Sequence, residues 1–463
     1  MRDLTTGSEF KVILAFAIPM LIGNVFQQLY NTVDSIIVGN FIGKEALAAV
    51  GASSPVIFLL VALAMGVGMG ASIMISQYFG AKQMENLKAT IETFYILSAV
   101  LCVIITACGI IFAGPILSLM NTPPDVFESA RTYMVIFFSG MVFLFGFNGI
   151  GAILRGMGDS KTPLYFLIVA TVVNIILDLV FVTVFKMGVA GVASATIIAE
   201  AVTFIGGFIV LQKSHPLLRL DLRKLEFSPK LLGKMVRISL PTGIQQMLVA
   251  ASFMVLTGLV QVFGTDVQAG FTSAGRIDSF AIMPVMSLSM ALSSFTGQNV
   301  GAKRLDRVIK GFRISLFASI IFSLLLGGVF LLWGDRLVAM FNQEPNVILH
   351  GSHYLHIIGM FYWIVAIMFV VQGVTRGTGD TVVPMLISLL TLWLFRVPLA
   401  HYLSGLIGPD GIWWAIPLAW GFGGTASLVY YLMGRWKKKS VISRPPEMAP
   451  VAPNIPENAA DTE

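Results

Sequence analysis

Four acidic residues lie inside long apolar stretches: Asp34, Asp178, Glu200 and Asp278. An ionisable side chain in such a stretch is costly and marks an ion or substrate path unless a partner neutralises it. Asp34 ends a polar stripe made of Asn24, Gln27, Gln28, Asn31, Asp34 and Ser35. At about 100° per residue these fall within roughly 120° of a helical wheel. A helix facing lipid could not carry that stripe, so it must face protein or a wet cleft. Tyr30 lies one turn before Asp34, and Pro19 removes a backbone donor and is expected to serve as a hinge. Asn174 and Asp178 are four apart, as are Thr196 and Glu200, so each pair shares a helix face. Asp34, Asp178, Asn174 and Thr196 together predict an oxygen-rich site for a coupling cation. Two carboxyls sharing a desolvated pocket can carry a proton, and the same four residues could hold Na⁺. Tyr30, Gln27, Asn31, Asn148 and Glu200 are expected to line a substrate cavity. The plainer reading is that such groups glue helices by hydrogen bonds. It weighs more for the neutral Asn174 and Thr196 than for the two aspartates.

Other chemistry finds less support. Arg276 and Asp278 are two apart and cannot face each other on a helix, so an ion pair with another helix is expected. Glu200 is expected near a helix end or beside a basic loop. His350, His353 and His356 repeat at i,i+3, but no acid cluster or cysteine joins them as metal ligands. His215 and His401 stand apart. Cys102 and Cys108 sit in one apolar run and read as small buried hydrophobes. No nucleophile, acid–base pair or metal constellation appears in the apolar stretches. The reading is therefore not an enzyme, with no cofactor beyond a coupling ion, H⁺ or Na⁺.

The composition says what must position these residues. Of 463 residues 56% are hydrophobic and 12% charged, with mean hydropathy +0.85. A soluble chain carries about 25% charged residues. Half that charge excludes a soluble enzyme, a disordered scaffold and a disulfide-rich secreted module. Twelve stretches are long enough to cross a bilayer as helices, which takes about 20 residues. They are 11–39, 50–77, 91–114, 130–154, 162–185, 188–212, 235–263, 272–297, 312–333, 351–374, 382–404 and 411–433. The fold class is all-α integral membrane. Of 30 Lys and Arg, 24 fall at the N-terminus, the even-numbered connections and the C-terminal end, against four on the other side. That bias places both termini in the cytoplasm of a plasma-membrane protein. It also explains the net charge of +6 without a nucleic-acid partner. The N-terminus shows no cleavage pattern, so the first helix is expected to stay.

The chain repeats at an offset of 221 residues. Gln77, Gly80, Ala81 and Lys82 return as Gln298, Gly301, Ala302 and Lys303. Arg155-Gly156-x-Gly158-Asp159 with Pro163 returns as Arg376-Gly377-x-Gly379-Asp380 with Pro384. Pro19 returns as Pro241, one residue out of phase. Six spans per half leave both halves in one orientation, so two six-helix bundles are expected about a pseudo-two-fold along the membrane normal. The expected organisation is an N-lobe over 1–212, a basic cytoplasmic linker over 213–234, a C-lobe over 235–434 and a disordered tail over 435–463. The glycines of the second motif suit a tight turn, and its proline suits the first turn of the next helix. No strand precedes it and the phosphate-loop Lys-Ser/Thr is missing, so it is read as structural.

Twelve spans in two halves, the repeated Gln-x-x-Gly-Ala-Lys and the repeated Arg-Gly-x-Gly-Asp-x-x-x-Pro resemble the multidrug and toxic compound extrusion (MATE) family over residues 8–434. The resemblance implies cation-coupled export of organic, often cationic, compounds by alternating access between two lobes. It implies Asp34 and Asp178 as coupling carboxylates, with Asn174 and Thr196 matching the positions that accompany them, and a bend at Pro19. The NorM-like branch carries acids in spans seven and ten. Here the regions around Val249 and Val365 have none, so the chain is similar rather to the DinF-like branch. The expected partners are small organic substrates and the lipid bilayer, with no nucleic acid, and the expected state is a monomer. The alternative is a lipid-linked saccharide flippase of the same broad superfamily, which would need a strongly basic cavity. Only Arg276 and Arg396 lie inside spans. An intramembrane enzyme lacks its constellation, and a channel would leave the repeat and the unevenly placed acids unexplained.

Overall fold

A computed structural model describes residues 2–214 and 225–442. Among the described residues the architecture is helical, as lipid demands of a chain that must satisfy its own backbone. The helices of the first half are α1 (Glu9–Ile42), α2 (Glu45–Gly80), α3 (Met84–Leu119), α4 (Pro124–Ser139), α5 (Met141–Gly156), α6 (Lys161–Val184) and α7 (Gly188–Lys213). Those of the second half are α8 (Pro229–Gln261), α9 (Thr265–Gly301), α10 (Leu305–Ala339), α11 (Pro345–Gly377), α12 (Val382–Ile407) and α13 (Pro409–Leu432). Eleven are long and apolar enough to cross a membrane singly, and α4 with α5 makes the twelfth span.

That twelfth span departs from expectation. The stretch 130–154 is not one helix but two, bent by 50° at Gly140. A β-carbon at Gly140 would collide with Ile197 of α7. The chain turns where only a glycine lets α7 come this close. α1, by contrast, runs on as helix through the buried Pro19.

The two halves form two lobes. They meet through the first two helices of each: α1 packs on α9, α8 packs on α2, and α2 meets α9 between them. This exchange is what a two-fold axis between the halves produces. Small residues set the close approach. Gly66 lies against the backbone of Gly243 and Gly70 against Ser239. Gly80 has no room for a β-carbon beside the Gln298 carbonyl, and Gly301 none beside that of Gln77.

The seal is one-sided. Two apolar clusters cross between the lobes near the chain termini. One joins Ala71, Met74 and Tyr78 to Met235 and Ile238; the other joins Leu4, Ile13 and Phe16 to Phe295 and Val374. The inter-lobe contact farthest from the termini among the described hydrogen bonds runs from Asn24 Nδ2 to Ser287 Oγ, at 3.0 Å. Toward the other end α2 and α8 expose Leu47, Phe58, Phe253 and Met254. Among the described residues, the hydrogen bonds and apolar clusters that join the lobes gather toward the end that carries the termini.

The C-terminal end also differs from expectation. Residues 435–442 are ordered: Arg435–Lys438 forms a 3₁₀ turn around Trp436, which is fully buried. The rest of the expected tail, 443–463, and the linker residues 215–224 with His215, lie outside the described residues.

Candidate functional site

α1 packs on α6, and α6 on α7, inside the first lobe. This brings together one face from each helix. Asp178 and Asn174 of α6 are buried, at 0% and 1% exposure, and Thr196 of α7 is buried beside them. From α1 the carboxyl of Asp34 faces that of Asp178, and Asn174 also neighbours Asp178. Thr196 donates to the Val192 carbonyl at 3.1 Å and accepts from Tyr30 Oη at 3.3 Å and Asn174 Nδ2 at 3.5 Å. Its hydroxyl is thereby saturated, with one proton given and two lone pairs filled.

The oxygens around it are not. Asp34 Oδ1, Asn174 Oδ1 and both carboxyl oxygens of Asp178 are buried with no donor. Ionised carboxylates are acceptors only. Four acceptor oxygens in one dry cluster are therefore costly unless a positive charge or a proton joins them. A single proton turns the Asp34–Asp178 contact into a hydrogen bond. A small cation would be met by oxygens from Asp34, Asp178 and Asn174.

The remaining predicted residues divide. Tyr30 belongs to the cluster. Glu200 sits one turn from Thr196, in mid-helix rather than at an end, and interacts electrostatically with Tyr30. Its carboxylate has no ion pair among the described residues. Gln27 and Asn31 are exposed on α1. One edge of their stripe, Tyr30 and Asp34, enters the first lobe, and the other, Asn24, reaches Ser287 in the second. The middle of the stripe therefore looks into the space between the lobes. Asn148 bonds back to the Leu144 carbonyl of its own helix at 2.9 Å and does not join the cluster. Tyr133 of α4 was not foreseen. It is buried and interacts electrostatically with Asp34, Asp178 and Glu200. Nothing in its local sequence sets it apart from an ordinary packing residue.

The expected ion pair of Asp278 is replaced by another arrangement. Its Oδ1 accepts from Tyr362 at 2.9 Å and its Oδ2 from Tyr354 at 3.3 Å, both on α11. Arg276 is exposed and makes no ion pair among the described residues. Two phenols about two turns apart on one face of α11 satisfy a carboxylate without a second charge.

A sealed pair of pseudo-symmetric helical lobes around a polar intramembrane cluster is the build of a membrane transporter. Comparison with known proteins makes the class specific. The sequence pattern of the MatE family matches twice, at residues 19–180 and 241–402, once per lobe. The chain is 31% identical over 437 residues to the probable multidrug resistance protein YpnP of Bacillus subtilis, covering 94% of this chain and 97% of that one. It is 32% identical over 448 residues to the probable multidrug resistance protein YoeA of the same organism, covering 94% and 96%. Among solved structures, the outward-facing conformation of a multidrug resistance MATE family transporter superimposes with a TM-score of 0.86. That match has 26% identity and covers 93% of this chain and 96% of the other. The chain belongs to the MATE family and is a transporter, not an enzyme.

Proposed function

We propose that this transporter is an antiporter that exports organic, often cationic, compounds from the cytoplasm in exchange for inward H⁺ or Na⁺. The observation that carries the coupling step is the set of four donorless oxygens on Asp34, Asn174 and Asp178. The names of its multidrug-resistance relatives support the substrate class. The charge bias supports a cytoplasmic position for the closed end, and on that reading the described state opens outward. The chain acts as a monomer, since the two lobes of one chain share their cores with each other.

In the proposed cycle, substrate occupies the space faced by Gln27 and Asn31 while the carboxyls are free of the ion. The ion arrives from outside, removes one of the two charges on the Asp34–Asp178 pair and lets the carboxyls close on each other. α1 then shifts against the rest of the lobe, with Pro19 as its weak point, and substrate leaves. The lobes rock inward and release the ion. Moving one charge inward across 100 mV supplies about 2.3 kcal/mol. A tenfold gradient of neutral substrate costs about 1.4 kcal/mol, so one ion suffices. For a monovalent cation exchanged one for one the charges cancel, and the ion's own gradient drives export.

The flippase reading needs a basic cavity. Arg396 instead donates to Ser252 Oγ at 2.7 Å, and Arg276 stands alone. The test is substrate-induced ion flux in proteoliposomes, with pH and Na⁺ gradients imposed separately on the wild type, Asp34→Asn and Asp178→Asn. Flux in the wild type and none in the variants is expected. Undiminished coupled flux in both variants would sink the mechanism.

A further inference from the structure

The repeated glutamines hold the inter-lobe seal in a reciprocal way. Gln77 of the first lobe donates through Nε2 to the Gly377 carbonyl at 2.9 Å, and Gln298 of the second donates to the Gly156 carbonyl at 3.1 Å. Each amide thus reaches the Arg-Gly-x-Gly-Asp turn of the opposite lobe. The amide oxygens are also taken, and each by an end of the chain. Leu4 N–H donates to Gln298 Oε1 at 2.9 Å, and Val441 N–H donates to Gln77 Oε1 at 2.8 Å.

Both ends bridge the lobes. Near the N-terminus, Asn299 Nδ2 donates to the Leu4 carbonyl at 3.2 Å and Arg304 Nη1 to the Thr5 carbonyl at 2.7 Å. The Arg2 carbonyl lies tight against Gly158 of the first lobe. Near the C-terminus, Lys234 Nζ donates to the Val441 carbonyl at 2.8 Å, and Val441 packs on Gly379, the counterpart of Gly158. Leu4 is fully buried in one inter-lobe core, and Val441 and Ile442 pack against the other. Chain ends are ordinarily loose unless something ties them down.

The symmetry is filled in an unexpected way. At the offset of 221 the counterpart of Leu4 is Leu225. The linker after it goes elsewhere: Glu226 N–H bonds Glu92 and Ser228 N–H bonds Thr93, both on α3. The place that a second N-terminal segment would take on Gln77 is taken by the C-terminal end instead.

We propose that the two chain ends are straps on this seal, residues 2–5 on Gln298 and residues 440–442 on Gln77, and that both must unseat before the lobes part at the cytoplasmic end. Gln77 and Gln298 are then the positioning residues that set how long the outward-open state lasts. This rests on the alternating-access reading above.

The experiment uses the full chain in nanodiscs, with Cys102→Ala and Cys108→Ser and spin labels at Glu85→Cys and Asp306→Cys. Those two exposed positions are related by the 221-residue offset, one in each lobe. Val441→Pro removes the N–H that Gln77 accepts, while Val441→Ala keeps it. Val441→Pro and Gln77→Leu should each raise the long-distance, cytoplasm-open population roughly fivefold over Val441→Ala, the scale of one lost hydrogen bond. Gln298→Leu should do the same from the other side. If the wild type opens with ion or substrate but these variants match Val441→Ala, the straps are refuted while alternating access stands. If the wild type holds one distance under every ion and substrate condition, both are refuted.

Discussion

In the first lobe the Asp34 and Asp178 carboxyls face each other, and four oxygens of their cluster have no donor. In the second lobe Asp278 has each oxygen met by a tyrosine hydroxyl. At the offset of 221 the second lobe holds Val255, Leu399, Phe395 and Pro417 where the first holds Asp34, Asp178, Asn174 and Thr196. A similar contrast runs through the repeated arginine. Arg376 donates to Gln245 at 2.8 Å and Gln372 at 3.2 Å, whereas Arg155 has Gly151 at the place of Gln372 and makes no side-chain hydrogen bond among the described residues. Span four is broken at Gly140, while its counterpart α11 runs unbroken past Phe361. The first lobe thus leaves its carboxyl pair without donors and breaks span four, while the second gives its acid two donors and keeps the counterpart of span four unbroken. A group that must gain and lose an ion is best kept where its partners do not already satisfy it. In the proposed cycle the second lobe would then be the fixed body against which the first changes shape.

The sharpest way to break this contrast is to neutralise one acid at a time. Asp34→Asn or Asp178→Asn should cut ion-coupled transport in proteoliposomes by more than about tenfold, a loss of at least ~1.4 kcal/mol. The double variant should be little worse than either single one, because the two act as a unit. Gly140→Ala should come next. Forcing a methyl against Ile197 should lower stability by about 1–3 kcal/mol, read as a drop in melting temperature in detergent. Tyr30→Phe takes one donor from Thr196 and leaves Asn174. A few-fold rise in the ion concentration for half-maximal transport is expected, the scale of ~1 kcal/mol. Asp278→Asn should do least. The amide oxygen still accepts one phenol, so transport should stay within about twofold and stability should fall by no more than ~1 kcal/mol. If Asp278→Asn instead abolished coupling, the second lobe could not be the passive one.

The large-scale fold was legible because lipid imposes it. Span number follows from apolar length, and the paired lobes follow from motifs returning at one offset. Asp34, Asp178, Asn174 and Thr196 could be picked out because each is polar where lipid would forbid it, at spacings that keep a helix face. What stayed hidden depends on neighbours distant in sequence. Gly140 is one of 45 glycines, and only Ile197 of another helix makes it a bend. The partners of Asp278 are tyrosines, whose apolar rings disguise them as core. Gln77 and Gln298 were visible as repeat markers. Their bonds to the opposite lobe were not, although a polar residue recurring at a helix end in both halves is what a contact across a two-fold axis would leave in sequence. The ordered chain end at 440–442 was missed because Val441 and Ile442 gain their apolar partners only from the packed lobes.

Beside the Arg304 and Lys234 donors to the near-terminal carbonyls, the seal near the termini rests on amide-to-carbonyl bonds and on glycines that let backbones touch. Within it, among the described residues, the direct charge pair across the lobes is Arg307 with Glu9, at 3.1 Å and largely buried. Salt screens exposed charges and leaves neutral hydrogen bonds and packing nearly untouched. The balance between closed and open cytoplasmic faces should therefore be almost indifferent to ionic strength. A seal built this way should stay shut equally well at low and at high ionic strength.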